Sequence, residues 1–144
     1  MELEALRLVI TDDDLNRMAR QWTPADAPVK NLNARIAPEG VTVTGDAAQF
    51  AVSFETRWTL RVAERMLLVR LEEIRAGWLP SGMLRGMLVS VLRDAAAKTP
   101  GVSVEEEAVR VDLDAVLKHH GLELKTNLSA VRCEARRLVI ESAK

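Results

Sequence analysis

The stretch Phe50–Val62, FAVSFETRWTLRV, decides the fold. Phe50, Val52, Phe54, Trp58, Leu60 and Val62 share one face, Ser53, Glu55, Arg57 and Arg61 take the other, and Thr56 alone interrupts the apolar side. This is the period of two of a half-buried β-strand. Thirteen residues at about 3.3 Å each span about 43 Å. A compact chain of 144 residues has a radius of gyration near ~14.5 Å and is roughly 37 Å across. A straight strand would overhang, so the reading is an antiparallel sheet that curves or bulges and keeps one wet face.

Downstream, Leu67, Val69 and Leu71 share a phase that shifts, after Glu72-Glu73, to Ile74, Ala76 and Trp78, as a β-bulge would cause. The short link at Glu64-Arg65 joins the two strands as a long hairpin. Beyond Pro80, residues 81–98 place Met83, Leu84, Met87, Leu88, Val91, Leu92 and Ala95 along one helical stripe, with Arg85, Arg93 and Asp94 outside it. That helix is about 26 Å long and can lie across the concave face of the sheet. Upstream, a strand over residues 5–10 leads into TDDD, which supplies N-caps and first-turn acids to a helix carrying Leu15, Met18, Ala19 and Trp22. Pro24 and Pro28 end that helix. A strand with Leu32, Ala34 and Ile36 in phase follows from Val29, turns at Pro38-Glu39-Gly40 and returns as VTVTG. After Pro100-Gly101, VSVEEEAVRV reads as short strands, Asp112 as the cap of helix LDAVLKHH and Gly121 as its C′ glycine. Leu122, Leu124, Leu128 and Ala130 then alternate, the chain reverses near residues 134–136, and RLVIES is the last strand.

The two ends resemble each other. LRLVITDDDLNRMA with NLNARIAPEGVTVTG, and VRVDLDAVLKHH with NLSAVRCEARRLVIES, both read strand, helix, hairpin. They share the pairs Asn31-Leu32 and Asn127-Leu128, each followed by an alanine at Ala34 and Ala130.

Composition bounds the function. The 144-residue chain is expected to form one α+β domain over residues 1–144, and its 48% hydrophobic and 28% charged residues disfavour disorder. Twenty Lys and Arg against 21 Asp and Glu leave a net charge of -1, with no field to draw a nucleic acid. One cysteine and two histidines exclude a disulfide framework and multi-cysteine or His-rich metal sites. No apolar run is long enough for a transmembrane segment. The acidic N-terminus lacks the basic and apolar regions of a secretory leader, so the cytoplasm is the expected compartment, with the periplasm as the alternative where a leader has been removed.

The polar candidates read as ordinary structure. His119 and His120 are adjacent and cannot chelate one metal as an i, i+4 pair would; they suit a helix C-terminal turn. Cys133 has no histidine at a recognisable spacing, and Asp12, Asp13 and Asp14 lack the spacing of a calcium loop and fit capping. Glu105-Glu106-Glu107 reads as a solvated loop, and Gly82 and Gly86 as packing glycines. Arg57, Arg61 and Arg70 make a basic set on the outer face, where arginines on a half-wet sheet are ordinary and anionic headgroups are the functional alternative. No GxGxxG, P-loop, GxSxG or HExxH pattern occurs, so no residue is assigned a catalytic role and no cofactor is expected.

A bent antiparallel sheet of long strands clasping an apolar helix, with LVITDDDLNRMA, APEGVTVTG, FAVSFETRWTLRVAERMLLVRL, RVDLDAVLKHHGLEL and RLVIES in order, resembles the tubular lipid-binding (TULIP) superfamily. The nearest likeness is to bacterial phospholipid-binding proteins of the lipomannan-elongation type. The resemblance implies a groove between sheet and helix that takes acyl chains, with neither catalysis nor metal. The chain departs from it in showing no export signal and in being shorter than many such domains, which limits the tunnel or calls for two copies to complete it. The expected function is non-enzymatic binding of a lipid or fatty-acyl ligand in a groove lined by Phe54, Trp58, Leu60, Met83, Met87, Leu88 and Val91, with transient contact to a membrane surface. The alternative is an assembly module that forms a homodimer through its apolar surface and sheet edges.

Overall fold

The computed structural model describes residues 7–23, 25–105, 108–119, 121, 126 and 128–142. Its elements are β1 (Arg7–Thr11), α1 (Asp12–Trp22), β2 (Val29–Ala37), β3 (Gly40–Ala47), β4 (Val52–Ala63), β5 (Met66–Arg75), α2 (Ser81–Ala97), β6 (Val102–Glu105), β7 (Ala108–Val111), α3 (Leu113–His119), β8 (Leu128–Glu134) and β9 (Arg137–Ser142). The strands form a six-stranded sheet of order β2-β3-β4-β5-β7-β6 and a three-stranded sheet of order β1-β9-β8. All pairings are antiparallel, so the chain is α+β with a large antiparallel sheet.

The expected bulge is present. Arg57 pairs with Glu73 but Trp58 pairs with Leu71, so Glu72 is the extra residue, and the register shift lets Leu71 and Ile74 both point inward. The hairpin turns on Glu64 and Arg65, both at positive φ (53° and 62°), the geometry that matches the twist of the flanking strands. Two sequence expectations are corrected at the far end of this hairpin. Phe50 is not part of β4; it sits in the β3–β4 turn, where its N–H bonds the Ala47 carbonyl. Trp78, expected in phase with Ile74 and Ala76, lies beyond β5 and is 68% exposed.

Two apolar clusters fill the inner side of the large sheet. At one end Val29, Ala47, Val52, Phe54 and Ala76 meet Leu79 and, from α2, Leu84 and Leu88. At the other end Ala34, Ile36, Val41, Trp58 and Leu71 meet Leu128, Leu138 and Ile140 of the small sheet. The inner face is thus shared between a helix and a second sheet.

The outer edge of β2 is closed by polar side chains of α1. The Asn16 amide donates to the Ala34 carbonyl (3.2 Å) and its oxygen accepts from the Ala34 N–H (2.6 Å), as a neighbouring strand would. Asp12 Oδ1 accepts from the Ile36 N–H (2.8 Å), and the Arg136 N–H, from the β8–β9 turn, donates to the Ile36 carbonyl (2.8 Å). An edge strand that would otherwise offer unpaired groups is thereby satisfied. Thr11 and Asp14 form a reciprocal capping box that fixes where α1 begins.

The two-ended resemblance has a structural counterpart. β1-α1-β2-β3 and β7-α3-β8-β9 share element order, and each hairpin is irregular at the corresponding place, between Lys30 and Asn33 in one and Leu128 and Ala130 in the other. The leading strands are exchanged: β1 joins the sheet of the second hairpin, whereas β7 adds to the large sheet beside β5. Asp112 caps α3 through the Ala115 N–H, and Gly121, at φ +89°, follows it as expected. His120, Glu106, Glu107, Leu122, Leu124 and Asn127 lie outside the described residues.

Left-handed backbone at a residue with a side chain costs about 1–2 kcal/mol, and Glu64 and Arg65 both carry it. Replacing the pair with Asn-Gly keeps the turn and removes that cost. The double variant is expected to raise the unfolding free energy by roughly 1–2 kcal/mol, measured as a higher urea midpoint at unchanged slope.

Candidate functional site

Of the seven residues expected to line a groove, Phe54 and Leu88 are buried together in the first cluster, with Met87 and Val91 partly buried against it. Trp58 and Leu60 belong to the second cluster, which adjoins the first through Ile74. Met83 joins neither; it is 48% exposed on the first turn of α2. Six of the seven therefore lie along one inner face, from the α2 end to the small-sheet end, and Met83 stands outside it.

Thr56, the polar interruption of the apolar face, proves central. Its hydroxyl donates to the Val43 carbonyl (3.0 Å) and accepts from the Trp58 indole N–H (2.8 Å), with Thr56 itself only 1% exposed. A buried indole N–H needs an acceptor, and a threonine two residues away on the same face of the strand provides it without breaking the strand. Alternation alone could not show this; the signal available was a β-branched hydroxyl residue two positions before a tryptophan.

α2 is held lightly. Of its 17 residues only Leu84 and Leu88 are buried, its N-cap is Pro80 with no side-chain hydrogen bond, and its first turn carries no acid. Leu92 reaches the second cluster, so the helix spans the junction of the two.

Two open clefts flank this core. One of about 580 Å³ lies between α1, β2 and the β8–β9 turn, lined by Asp12, Asp13, Asn16, Asn33, Ala34, Arg35 and Arg136. Asp12 and Asn16 there are the groups that close the edge of β2. The other, of about 440 Å³, runs along the outer side of α2 past Gly82, Gly86 and Ser90, glycines whose missing side chains leave open space. Neither is lined by any of the seven groove candidates.

The outer face of the large sheet is charge-matched. Arg57 lies 3.4 Å and Arg75 3.1 Å from Glu73, whose carboxyl is held below the ordinary carboxylate value first by the Arg75 hydrogen bond. Arg70 lies 3.9 Å from Glu72. On the small sheet Glu134 is likewise lowered by hydrogen bonds from Arg132 and Arg137. Two of the three arginines offered to anionic headgroups thus have carboxylate partners.

Cys133, partly buried on β8 beside the second cluster, has its thiol pushed up by burial, the opposite of an activated nucleophile. His119 ends α3. Among the described residues no three His, Cys, Asp or Glu side chains converge to hold a metal, and no helix is long and apolar enough to cross a membrane. Compared with protein-family models, curated proteins and solved structures, the chain matches none.

Replacing Thr56 by Val leaves the Trp58 indole N–H buried without its acceptor and is expected to cost about 1–3 kcal/mol of stability. In the Trp58→Phe background the same change should cost markedly less, and a thermodynamic cycle from urea unfolding measures the difference. The raised Cys133 thiol predicts alkylation by iodoacetamide at pH 7.5 on the order of tenfold slower in the folded chain than in urea, read by mass spectrometry.

Proposed function

We propose that the chain is a non-enzymatic carrier of a long apolar ligand, a lipid or fatty-acyl chain, which lies along the inner face of the large sheet with α2 as a displaceable cover. In this reading the sheet curves around α2, and the bulge at Glu72 sets the curvature. The observation that carries it is the mismatch between the two sides of the first cluster. The sheet presents Val29, Ala47, Val52 and Phe54 with Ile74 partly buried, whereas α2 answers with two buried leucines, partly buried Met87 and Val91, and no side-chain cap.

Burying two leucines stabilises by roughly 3–6 kcal/mol before the entropy of ordering the helix is subtracted. A saturated acyl chain gains about 0.8 kcal/mol for each methylene it buries, so eight buried methylenes match the contacts α2 gives up. Met87 and Val91, unbranched and β-branched side chains at the seam, would line the ligand's path, with Met87 the adaptable one. The few aromatic residues (3%) suit a flexible chain better than a flat ring system. This reading agrees with the likeness to TULIP proteins.

A second reading has one observation in its favour. β1 is an edge strand of the small sheet, and Leu8 and Val9 on it are 37% and 39% exposed. A second copy pairing along that edge would cover them. Dimerisation would then need no ligand, and Leu8→Lys would abolish it.

Native mass spectrometry of the purified chain, with solvent extraction of anything released, distinguishes the two. The carrier reading predicts near one lipid per chain or per dimer, at least a fivefold drop in retained lipid for Met87→Trp, and an unchanged circular dichroism spectrum. A chain that stays empty after incubation with phospholipids and fatty acids overturns it, and a ligand-free dimer lost in Leu8→Lys establishes the second reading.

A further inference from the structure

Three turns meet at the end of the large sheet where Ala47 pairs with Val52 and β5 closes opposite Glu55. The β5–α2 connection is a tight turn in which the Leu79 N–H bonds the Ala76 carbonyl (3.0 Å). Both ends of that turn are anchored, Ala76 at 7% and Leu79 at 4% exposure, and its apex is Gly77-Trp78. Gly77 takes φ +55°, a conformation that costs glycine little, and the turn carries the indole outward. Trp78 is 68% exposed and meets the Phe50 ring in a T-shaped contact, at 5.9 Å between centroids. One turn of helix onward, Met83 is 48% exposed. A loop apex normally carries a polar residue; here a rigid turn rooted in the core displays the largest apolar side chain available.

Charges border the tip rather than enter it: Arg75 pairs with Glu73 (3.1 Å), Asp46 accepts from Asn31 and Ser53, and Arg85 comes after Leu84. Residues 47–52 (AAQFAV) and 76–84 (AGWLPSGML) include no Asp, Glu, Lys or Arg, where the chain's average of 28% would place about four. The neighbouring 23–28 turn, whose Pro28 carbonyl accepts from the Ala48 N–H, adds only an acid, Asp26. An uncharged apolar tip with a tryptophan at its apex suits the headgroup boundary of a zwitterionic bilayer, where indole rings concentrate. It does not suit an anionic surface, which would call for Lys and Arg beside the aromatics.

We infer that this tip, Phe50, Trp78 and Met83, docks on the interface of a zwitterionic phospholipid bilayer. The contact rests on exposure and charge at the turns, not on the carrier reading, although it would set the α2 end of the first cluster against the membrane.

Flotation of the full chain with phosphatidylcholine vesicles tests it. The wild type should float, and Trp78→Ala should lower its partition coefficient at least tenfold without changing its unfolding midpoint. Met83→Glu, which places a charge in the tip from an exposed position, should do the same and serves if Trp78→Ala folds poorly. No flotation, equal flotation of both variants, or flotation only when phosphatidylglycerol is present overturns the inference. So does a dimer in the absence of vesicles that Trp78→Ala abolishes, because the tip would then meet a second copy. A chain that floats but returns from the vesicles without lipid removes the carrier reading alone; one that carries lipid but never floats removes this inference alone.

Discussion

The hydrogen-bond chain from the Trp58 indole through the Thr56 hydroxyl to the Val43 carbonyl fixes the middle of the molecule. Trp58 is the bulkiest side chain of the second cluster and sits where the bulge shifts the register between β4 and β5. Without Thr56 its indole N–H would be a buried donor lacking this acceptor, at a cost of about 1–3 kcal/mol. By accepting a hydrogen bond from the indole and donating one to β3, Thr56 ties three features together: the ring's position, the β3–β4 register and the place where the inner face changes cover. Phe54, two residues before it, packs under α2; Trp58, two residues after it, packs under the small sheet.

The second constraint is the closed edge of β2. α1 is amphipathic in the usual way, but the residues that hold it to the sheet are polar, Asp12 and Asn16, bonding backbone rather than filling the core. Arg136, on the turn between β8 and β9, completes the same edge and also accepts from the Asp12 N–H through its carbonyl. One short stretch of β2 therefore receives α1 and the small sheet together. β1 pairs with β9, so the first and last described strands lie side by side.

Local pattern reached much of this. The inner face of β4, the bulge after Leu71, the limits of α2 and the caps at Thr11 and Asp112 all depend on neighbours within a few positions, and periodicity and capping rules report such neighbours. What was not legible has long-range or inverted causes. The pairing of β1 with β9 joins residues more than a hundred positions apart, so no window contains it. Asn16 carries no signal in the sequence, because side-chain polarity is blind to an edge strand's need for a partner. Trp78 and Met83 fit the strand and helix periods, yet β5 stops at Arg75 and Met83 stands on the exposed side of the first turn of α2, so neither is buried. The groove residues belong to two periodic patterns, one on β4 and one on α2, and such a pattern reports a buried face, not a chamber between two faces.

That distinction bears on how an apolar face can take a ligand. A preformed cavity binds by replacing water, whereas a face already covered must exchange one apolar contact for another, so what governs uptake is how much the cover loses on leaving. The small sheet loses much: Leu128, Leu138 and Ile140 are nearly inaccessible, and its turn is bonded to β2. α2 loses only Leu84 and Leu88, with Met87, Val91 and Leu92 partly engaged. In the carrier reading the inner face holds at the Trp58 end and yields at the Phe54 end. The yielding end is also where the uncharged turns project Trp78. Were α2 to move, Phe54 and Val52 would be laid bare beside the turn that carries Trp78.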